Sequence, residues 1–165
     1  WGSGGWGLAP WRLAWRRWQR MVTAAAREAR PRTIFAVADV RDCYGSVSPD
    51  AVSSVLGPAA DPLVAFLRRL GDAGVRGLPV GPDPSAVVAN ASLEPLDDAV
   101  RSSGAGHFRW VDDLVLWGTR REAIRGLDAL HRAAAGLGLE LHPGKTRLLE
   151  GPDELRARRC SILAP

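Results

Sequence analysis

Residues 107–117 indicate the fold more clearly than any other part of the chain, and they read His107-Phe108-Arg109-Trp110-Val111-Asp112-Asp113-Leu114-Val115-Leu116-Trp117. Two adjacent carboxylates, Asp112 and Asp113, interrupt two short stretches of apolar and aromatic residues. Because Asp is a poor strand former between β-prone segments, the pattern predicts a β-hairpin with both acids at its turn. Like charges this close repel each other, so the turn requires either bulk water or a divalent cation.

A further acid follows a second strand-like run. Residues 33–40 are apolar and β-branched, and they place Asp39 at the end of a buried strand. Asp39 and Asp112 converge only if the two strands are neighbours in one sheet. Carboxylate oxygens suit Mg²⁺, and two such ions about 3.5–4 Å apart can hold the attacking and leaving oxygens of an in-line phosphoryl transfer. The pattern therefore indicates nucleotidyl transfer.

Four segments follow one another along the chain. They are Asp39-Val40-Arg41-Asp42-Cys43-Tyr44-Gly45-Ser46-Val47, Gly77-Leu78-Pro79-Val80-Gly81-Pro82-Asp83-Pro84-Ser85, Trp110-Val111-Asp112-Asp113 and Gly138-Leu139-Glu140-Leu141-His142-Pro143-Gly144-Lys145-Thr146. Together they resemble the palm domain of reverse transcriptases, and most of all the diverse bacterial enzymes of the retron-like and defence-associated type. The chain departs from the family pattern at Gly45, Val80 and Trp110.

The predicted elements run helix, strand, helix, turn, helix, hairpin, helix, strand. This order matches an α+β palm, an antiparallel sheet with helices packed on one face. The resemblance implies that the fingers and thumb are missing or truncated. It divides the chain into a Trp/Arg-rich N-terminal segment with an amphipathic helix, residues 1–30, and a palm, residues 31–165. Since the chain begins with Trp, we expect it to be a piece of a longer product.

Local signals predict the starts of two helices and the extent of a third. Ser48 followed by Pro49 is typical of a helix start, with Ser as the N-cap. Residues 83–101 predict one continuous helix. Thr119 and Glu122 have the spacing of a capping box, which predicts a helix that begins after Thr119.

The resemblance implies an activity and a set of partners. The expected activity is RNA-directed DNA synthesis, in which template-directed nucleotidyl transfer to a 3′ hydroxyl uses two Mg²⁺ ions, with Mn²⁺ as a substitute. The expected partners are an RNA template, a DNA or RNA primer, deoxynucleoside triphosphates and a partner chain that supplies the fingers or thumb. Two other interpretations stay open: a template-independent or protein-primed polymerase of a phage-defence system, and a noncatalytic palm that binds nucleic acid or a partner chain.

The resemblance also implies a role for individual residues. The metal ligands are Asp39, the carbonyl of Val40, Asp112 and Asp113, with Asp113 as the outer acid. Lys145 is the group that protonates the leaving pyrophosphate. The expected nucleotide-binding residues are Arg41, Asp42, Cys43 and Tyr44, and the ring of Tyr44 lies beneath the sugar. The expected template and primer contacts are Leu78, Pro79, Val80, Gly81 and Ser85.

The N-terminal segment predicts an irregular lead-in at residues 1–10 and a helix at residues 11–29. Its Trp11, Trp15 and Trp18 fall on one helical face, with most of its arginines elsewhere. Three interpretations follow. The favoured one packs the tryptophans on the palm; the second places a basic helix alongside the template or primer; the third is a helix on a membrane surface.

Composition excludes several classes. The chain has 165 residues, enough for one domain, and no apolar run approaches the ~18–20 residues of a membrane span, so we expect no membrane partner. Two cysteines make a disulfide framework or a zinc site improbable and favour the reducing cytoplasm. The net charge is +4 with a single lysine, and such an arginine excess suits phosphate recognition, although GC-rich coding produces the same bias.

Overall fold

The computed structural model of the protein describes residues 10–81 and 83–157. The helices are α1 Trp11–Glu28, α2 Cys43–Ser46, α3 Pro49–Leu56, α4 Asp61–Asp72, α5 Asp83–Ser92, α6 Glu94–Ser102, α7 Arg120–Gly136 and α8 Pro152–Ala157, and a 3₁₀ turn spans Gly57–Ala60. The strands are β1 Ile34–Asp39, β2 Gly106–Trp110, β3 Asp113–Gly118 and β4 Arg147–Leu149. Most of the predicted lead-in and the last eight residues of the predicted palm, 158–165, lie outside the described residues.

The four strands form one antiparallel sheet in the order β2-β3-β1-β4. Helices connect β1 to β2 and β3 to β4, whereas a tight turn connects β2 to β3. This is the β-α-β-β-α-β order of a split βαβ sheet. The α+β class is therefore confirmed, and β1 lies at the centre of the sheet, directly beside the hairpin.

Helices cover both faces of the sheet, so the prediction that they pack on one face is wrong. One face of the sheet packs against α6 and α7, where Leu96 and Leu130 are fully buried. The other face packs against α1 through Trp18 and Val22 and against α8. The physical reason lies in β1, in which all six residues are buried. A strand that is apolar on both sides needs cover on both sides.

The local signals were mostly reliable. The Ser48 hydroxyl accepts a hydrogen bond from the Ala51 amide, and Thr119 and Glu122 form the complete capping box, which confirms both helix starts. Residues 83–101, however, form two helices, α5 and α6. Pro95 stands in the first turn of α6, where its missing N–H and its ring prevent a continuous helix. The packing interpretation of α1 is confirmed for Trp15 and Trp18, which both contact Trp110, and is wrong for Trp11, which is 60% exposed.

Contrary to the expectation from the sequence, one stretch of the described residues, Pro49–Asp72, is long and apolar enough to cross a membrane. Length and composition alone are weak evidence for a span. A 3₁₀ turn interrupts the stretch, and its Val52, Val64 and Leu67 are buried in a core cluster with Leu78. Only 28% of its most apolar 18-residue window is buried.

Candidate active site

The ends of two neighbouring strands bring the predicted acids together. Asp39, the last residue of β1, is the register partner of Asp113, the first residue of β3. Directly opposed residues of an antiparallel pair point to the same face, so both carboxylates lie on the α1 face of the sheet. The N–H of Val40 donates to the carbonyl oxygen of Asp112 at 3.1 Å. The prediction that β1 and the hairpin are neighbours is confirmed.

The hairpin turn consists of Val111 and Asp112, because β2 ends at Trp110 and β3 begins at Asp113. The prediction that both acids lie at the turn is therefore wrong for Asp113, which pairs with Trp110 as the first residue of β3. Val111 has a φ of 52°, a left-handed conformation that β-branched residues rarely adopt. A two-residue hairpin turn normally places Gly, Asn or Asp at such a position. The turn that carries Asp112 is therefore strained, and surrounding contacts must hold it.

Arg109 supplies those contacts. Its Nη1 donates to the carbonyl of Val111 at 3.0 Å and to Asn90 Oδ1 at 3.0 Å. Its Nη2 donates to Asp97 Oδ2 at 2.6 Å, and His107 Nε2 lies 3.1 Å from Asp97 Oδ1. The Arg109 side chain is only 9% exposed. These bonds tie the strained turn to α5 and α6.

The sequence analysis did not identify this network. Alternation along β2 was the available signal, because it places His107 and Arg109 on the face that α6 covers, while Phe108 and Trp110 point to the α1 face. A charged residue on a covered face requires a buried partner, which is Asp97. Residues 90 and 97 could not be chosen as partners without the packing of α5 and α6.

Lys145 reaches the acids from the loop before β4. The N–H of His142 donates to the carbonyl of Asp39 at 2.7 Å, which fixes the loop beside β1. The Lys145 ammonium donates to Asp39 Oδ2 at 2.7 Å. The lysine side chain is 59% exposed, whereas that of Asp39 is 8% exposed. The sole lysine of the chain is thus placed at the acids.

The electrostatics of the site show an excess of negative charge. Burial, together with the carboxylates of Asp112 and Asp39, raises the pKa of Asp113 to about 7, and Lys145 opposes this shift. Burial also raises the pKa of Asp112, with Asp39 adding to the effect. The hydrogen bond to Asp39 raises the pKa of Lys145, so its ammonium keeps its proton. One cation faces three acids.

The donor atoms of this site suit a hard divalent cation. Among the described residues, no group of three or more His, Cys, Asp and Glu side chains is arranged as a metal centre. Mg²⁺ needs only one or two protein carboxylates, since water and substrate phosphates complete its shell. Asp39, Asp112 and Asp113 supply such carboxylates, and Lys145 already neutralises part of their charge.

The predicted nucleotide-binding residues adjoin the acids. Arg41 is exposed and forms an ion pair with Glu140 at 3.3 Å, and Asp42 has a left-handed φ of 44° where the chain turns into α2. Burial raises the pKa of Cys43 to about 12, with Asp112 adding to the effect. Burial also raises the pKa of Tyr44, and Asp112 contributes again. Cys43 and Tyr44 therefore lie within electrostatic range of the hairpin turn.

The predicted template-contacting turn packs directly on this segment. The N–H of Leu78 donates to the carbonyl of Tyr44 at 2.7 Å. A Cβ at Gly77 would lie 2.0 Å from the same carbonyl oxygen, so the close approach requires glycine.

The side chains of the predicted template and primer contacts differ in exposure. Those of Leu78 and Ser85 are buried, whereas Val80 is 83% exposed, Gly81 is exposed and Pro79 is half-buried. Only Pro79, Val80 and Gly81 are available to a nucleic acid in this arrangement.

In comparisons with known proteins, no family model matches the chain, and no curated protein sequence matches it. The residues of the site are therefore the basis for assigning a function. They can bind a divalent cation together with a phosphate, and they hold one ammonium group at the same place. Residues 41–44 follow Asp39 closely in the chain, and the turn of residues 77–81 packs on them through the hydrogen bond from Leu78 to Tyr44.

Proposed function

We propose that this chain is the palm of a reverse-transcriptase-like polymerase, which adds deoxynucleotides to a 3′ hydroxyl under the direction of an RNA template. The observation that carries the proposal is the convergence of Asp39, Asp112 and Asp113 at one end of the sheet, with Lys145 bonded to Asp39. The order of the four motifs along the sequence supports it.

Each residue has a distinct task in this proposal. Two Mg²⁺ ions, when bound, would stabilise the charge on the attacking and leaving oxygens. Asp39 and Asp112 would hold them, helped by the Val40 carbonyl, with Asp113 as the outer acid. Lys145 remains protonated and is exposed, so it can give a proton to the departing pyrophosphate.

The remaining assignments concern the substrate and the cell. The Tyr44 ring would lie beneath the incoming sugar, and Pro79, Val80 and Gly81 would contact the template. The polymer partners are an RNA template and a DNA or RNA primer. A reducing cytoplasm is the proposed location, because the sequence has two cysteines, too few for a disulfide framework.

The test is extension of a labelled DNA primer on an RNA template with Mg²⁺. Together with the partner chain expected to supply the fingers or thumb, the purified protein should incorporate deoxynucleotides, and Asp112→Asn should not. Asp98→Asn is the matched control, since Asp98 is an exposed acid on α6 that pairs with Arg101 away from the site. Full activity of Asp112→Asn would refute the proposal.

The same assay separates the other interpretations. Incorporation that continues without a template would favour the template-independent or protein-primed polymerase. Binding of the primer duplex with no incorporation under any metal condition would favour the noncatalytic palm.

A further inference from the structure

One flank of α1 carries a row of arginines. Arg16, Arg20 and Arg27 are spaced by four and seven positions, which places them on the same side of the helix. With Gln19 and Thr23 they line an open groove of about 450 Å³. We call Arg16, Arg20 and Arg27 the arginine flank.

The charges of the arginine flank are not compensated within the described part of the protein. All three side chains are exposed, and none forms an ion pair with an acid in residues 10–81 and 83–157. Six other described arginines do pair with acids, namely Arg41, Arg68, Arg101, Arg109, Arg120 and Arg156, whereas Arg121, Arg125 and Arg132 of α7 form no such pair within the described residues. Glu28, at the end of the helix, is the acid of the groove.

The position of α1 connects this flank to the acids. Trp15 packs edge-on against Trp110, with ring centroids 5.1 Å apart. Trp110 is the register partner of Asp113, which is in turn the partner of Asp39. The side chains of Trp110, Asp113 and Asp39 therefore point to the face of the sheet on which α1 lies. A polymer whose end reaches the acids can continue along this helix.

We propose that the arginine flank binds the phosphate backbone of the nucleic acid whose 3′ end lies at the acids; this inference rests on the proposed function. Guanidinium groups bind phosphates through two parallel hydrogen bonds, and such contacts do not depend on base sequence. A membrane surface fits less well. An interfacial helix inserts its apolar face into the lipid, whereas Trp18, Val22 and Ala26 of α1 are buried against the sheet.

The test compares two triple variants that remove the same charge. Arg16→Gln/Arg20→Gln/Arg27→Gln removes the flank, and Arg121→Gln/Arg125→Gln/Arg132→Gln removes three exposed arginines of α7, on the opposite side of the sheet. Binding of a fluorescent primer–template duplex is measured by anisotropy without metal, at salt concentrations between about 50 and 200 mM. Thermal unfolding verifies that both variants are folded.

The flank variant should bind about tenfold or more weakly, and the slope of log affinity against log salt should fall by about 2–3, close to one per phosphate contact. The α7 variant should keep the native slope. Equal losses in both variants, or an unchanged slope in the flank variant, would overturn the inference. So would loss of binding to phosphatidylserine vesicles in the flank variant with intact duplex binding, since that result identifies a membrane surface.

The inference and the proposed function fail separately. Asp112→Asn should abolish incorporation while the salt slope of binding stays native. If the flank variant binds normally and Asp112→Asn is inactive, the flank has no role and the polymerase assignment stands. If the flank variant loses binding and no incorporation is ever seen, the nucleic-acid surface stands and the polymerase assignment falls.

Discussion

Two acidic sites lie on opposite faces of the same sheet, and their charges are balanced differently. On the α6 face, burial raises the pKa of Asp97, yet hydrogen bonds from His107 and Arg109 bring it below its ordinary value. On the α1 face, burial and two neighbouring carboxylates raise the pKa of Asp113 to about 7, and only Lys145 opposes them. An acid with matched partners serves the fold, whereas an uncompensated group of acids indicates a site that binds a cation.

Arg109 links the two sites. We call the group of Asp97, His107 and Arg109 the balanced site and the group of Asp39, Asp112 and Asp113 the uncompensated site. Arg109 donates hydrogen bonds to Asp97 and to the carbonyl of Val111, which belongs to the strained turn that carries Asp112. The hydrogen bonds of Arg109 to Asp97 therefore help to fix the turn that carries Asp112. Mutations can separate the role of the acids in activity from the role of Asp97 in stability.

The largest expected effect is on activity. Asp39→Asn or Asp112→Asn should reduce Mg²⁺-dependent incorporation by about a thousandfold or more, because metal ions supply several kcal/mol of transition-state stabilisation. The unfolding temperature should stay similar or rise, since each change removes a repelling charge. Primer extension and thermal denaturation measure the two quantities. Undiminished incorporation would show that Asp39 and Asp112 are not needed for catalysis, so that the two acidic sites would not differ in function.

The next effect is on stability, at the balanced site. Asp97→Ala should lower the free energy of unfolding by about 3–5 kcal/mol, because it leaves Arg109 buried without its partner. Asp98→Ala, one residue away and exposed, should cost less than about 1 kcal/mol. Urea denaturation measures both. Similar values for the two variants would show that Asp97 is not the anchor of the turn.

Local signals in the sequence predicted much of this site. The two acids Asp112 and Asp113 between β-prone stretches predicted the hairpin, and the apolar run before Asp39 predicted the buried strand beside it. Caps at Ser48 and Thr119 predicted two helix starts, because a cap depends on residues three positions apart. Such features need no knowledge of distant contacts.

Features that depend on distant packing were not predictable in the same way. The register that opposes Asp39 to Asp113, rather than to Asp112, follows from how the two strands pair. The partner of Arg109 lies on a helix twelve positions earlier in the chain, and only the fold identifies it. The break at Pro95 is a different case, because its signal was local and was overlooked.

A third prediction tests whether the uncompensated site holds a nucleotide. Tyr44→Ala should raise the use of ribonucleotides relative to deoxynucleotides by about ten- to a hundredfold in kcat/KM, since removing such a clash is worth ~1–3 kcal/mol. Tyr44→Phe is the control and should keep the native ratio, because the ring remains. An unchanged ratio in a folded Tyr44→Ala protein would remove Tyr44 from the site.

The last prediction concerns the dependence of stability on pH. Asp113 has a folded-state pKa of about 7 against an ordinary value of 3.8. Between these values the folded protein binds more protons than the unfolded chain, so this group makes stability fall as pH rises, and the loss is complete above about pH 7. Asp97 has the opposite sign, because its lowered pKa makes stability fall as pH drops.

The difference between wild-type protein and Asp113→Asn isolates the contribution of this one group. At pH 8 the variant should unfold at a higher temperature than the wild-type protein, and the difference should shrink toward pH 4, where the Asp113 carboxyl of the folded protein is uncharged. Mg²⁺ should stabilise the wild-type protein more than the variant at pH 8, since a cation that binds only the folded state offsets the same repulsion. Calorimetry at both pH values, with and without Mg²⁺, measures these shifts. A variant that is less stable than wild type at pH 8 would show that Asp113, like Asp97, is a balanced structural acid.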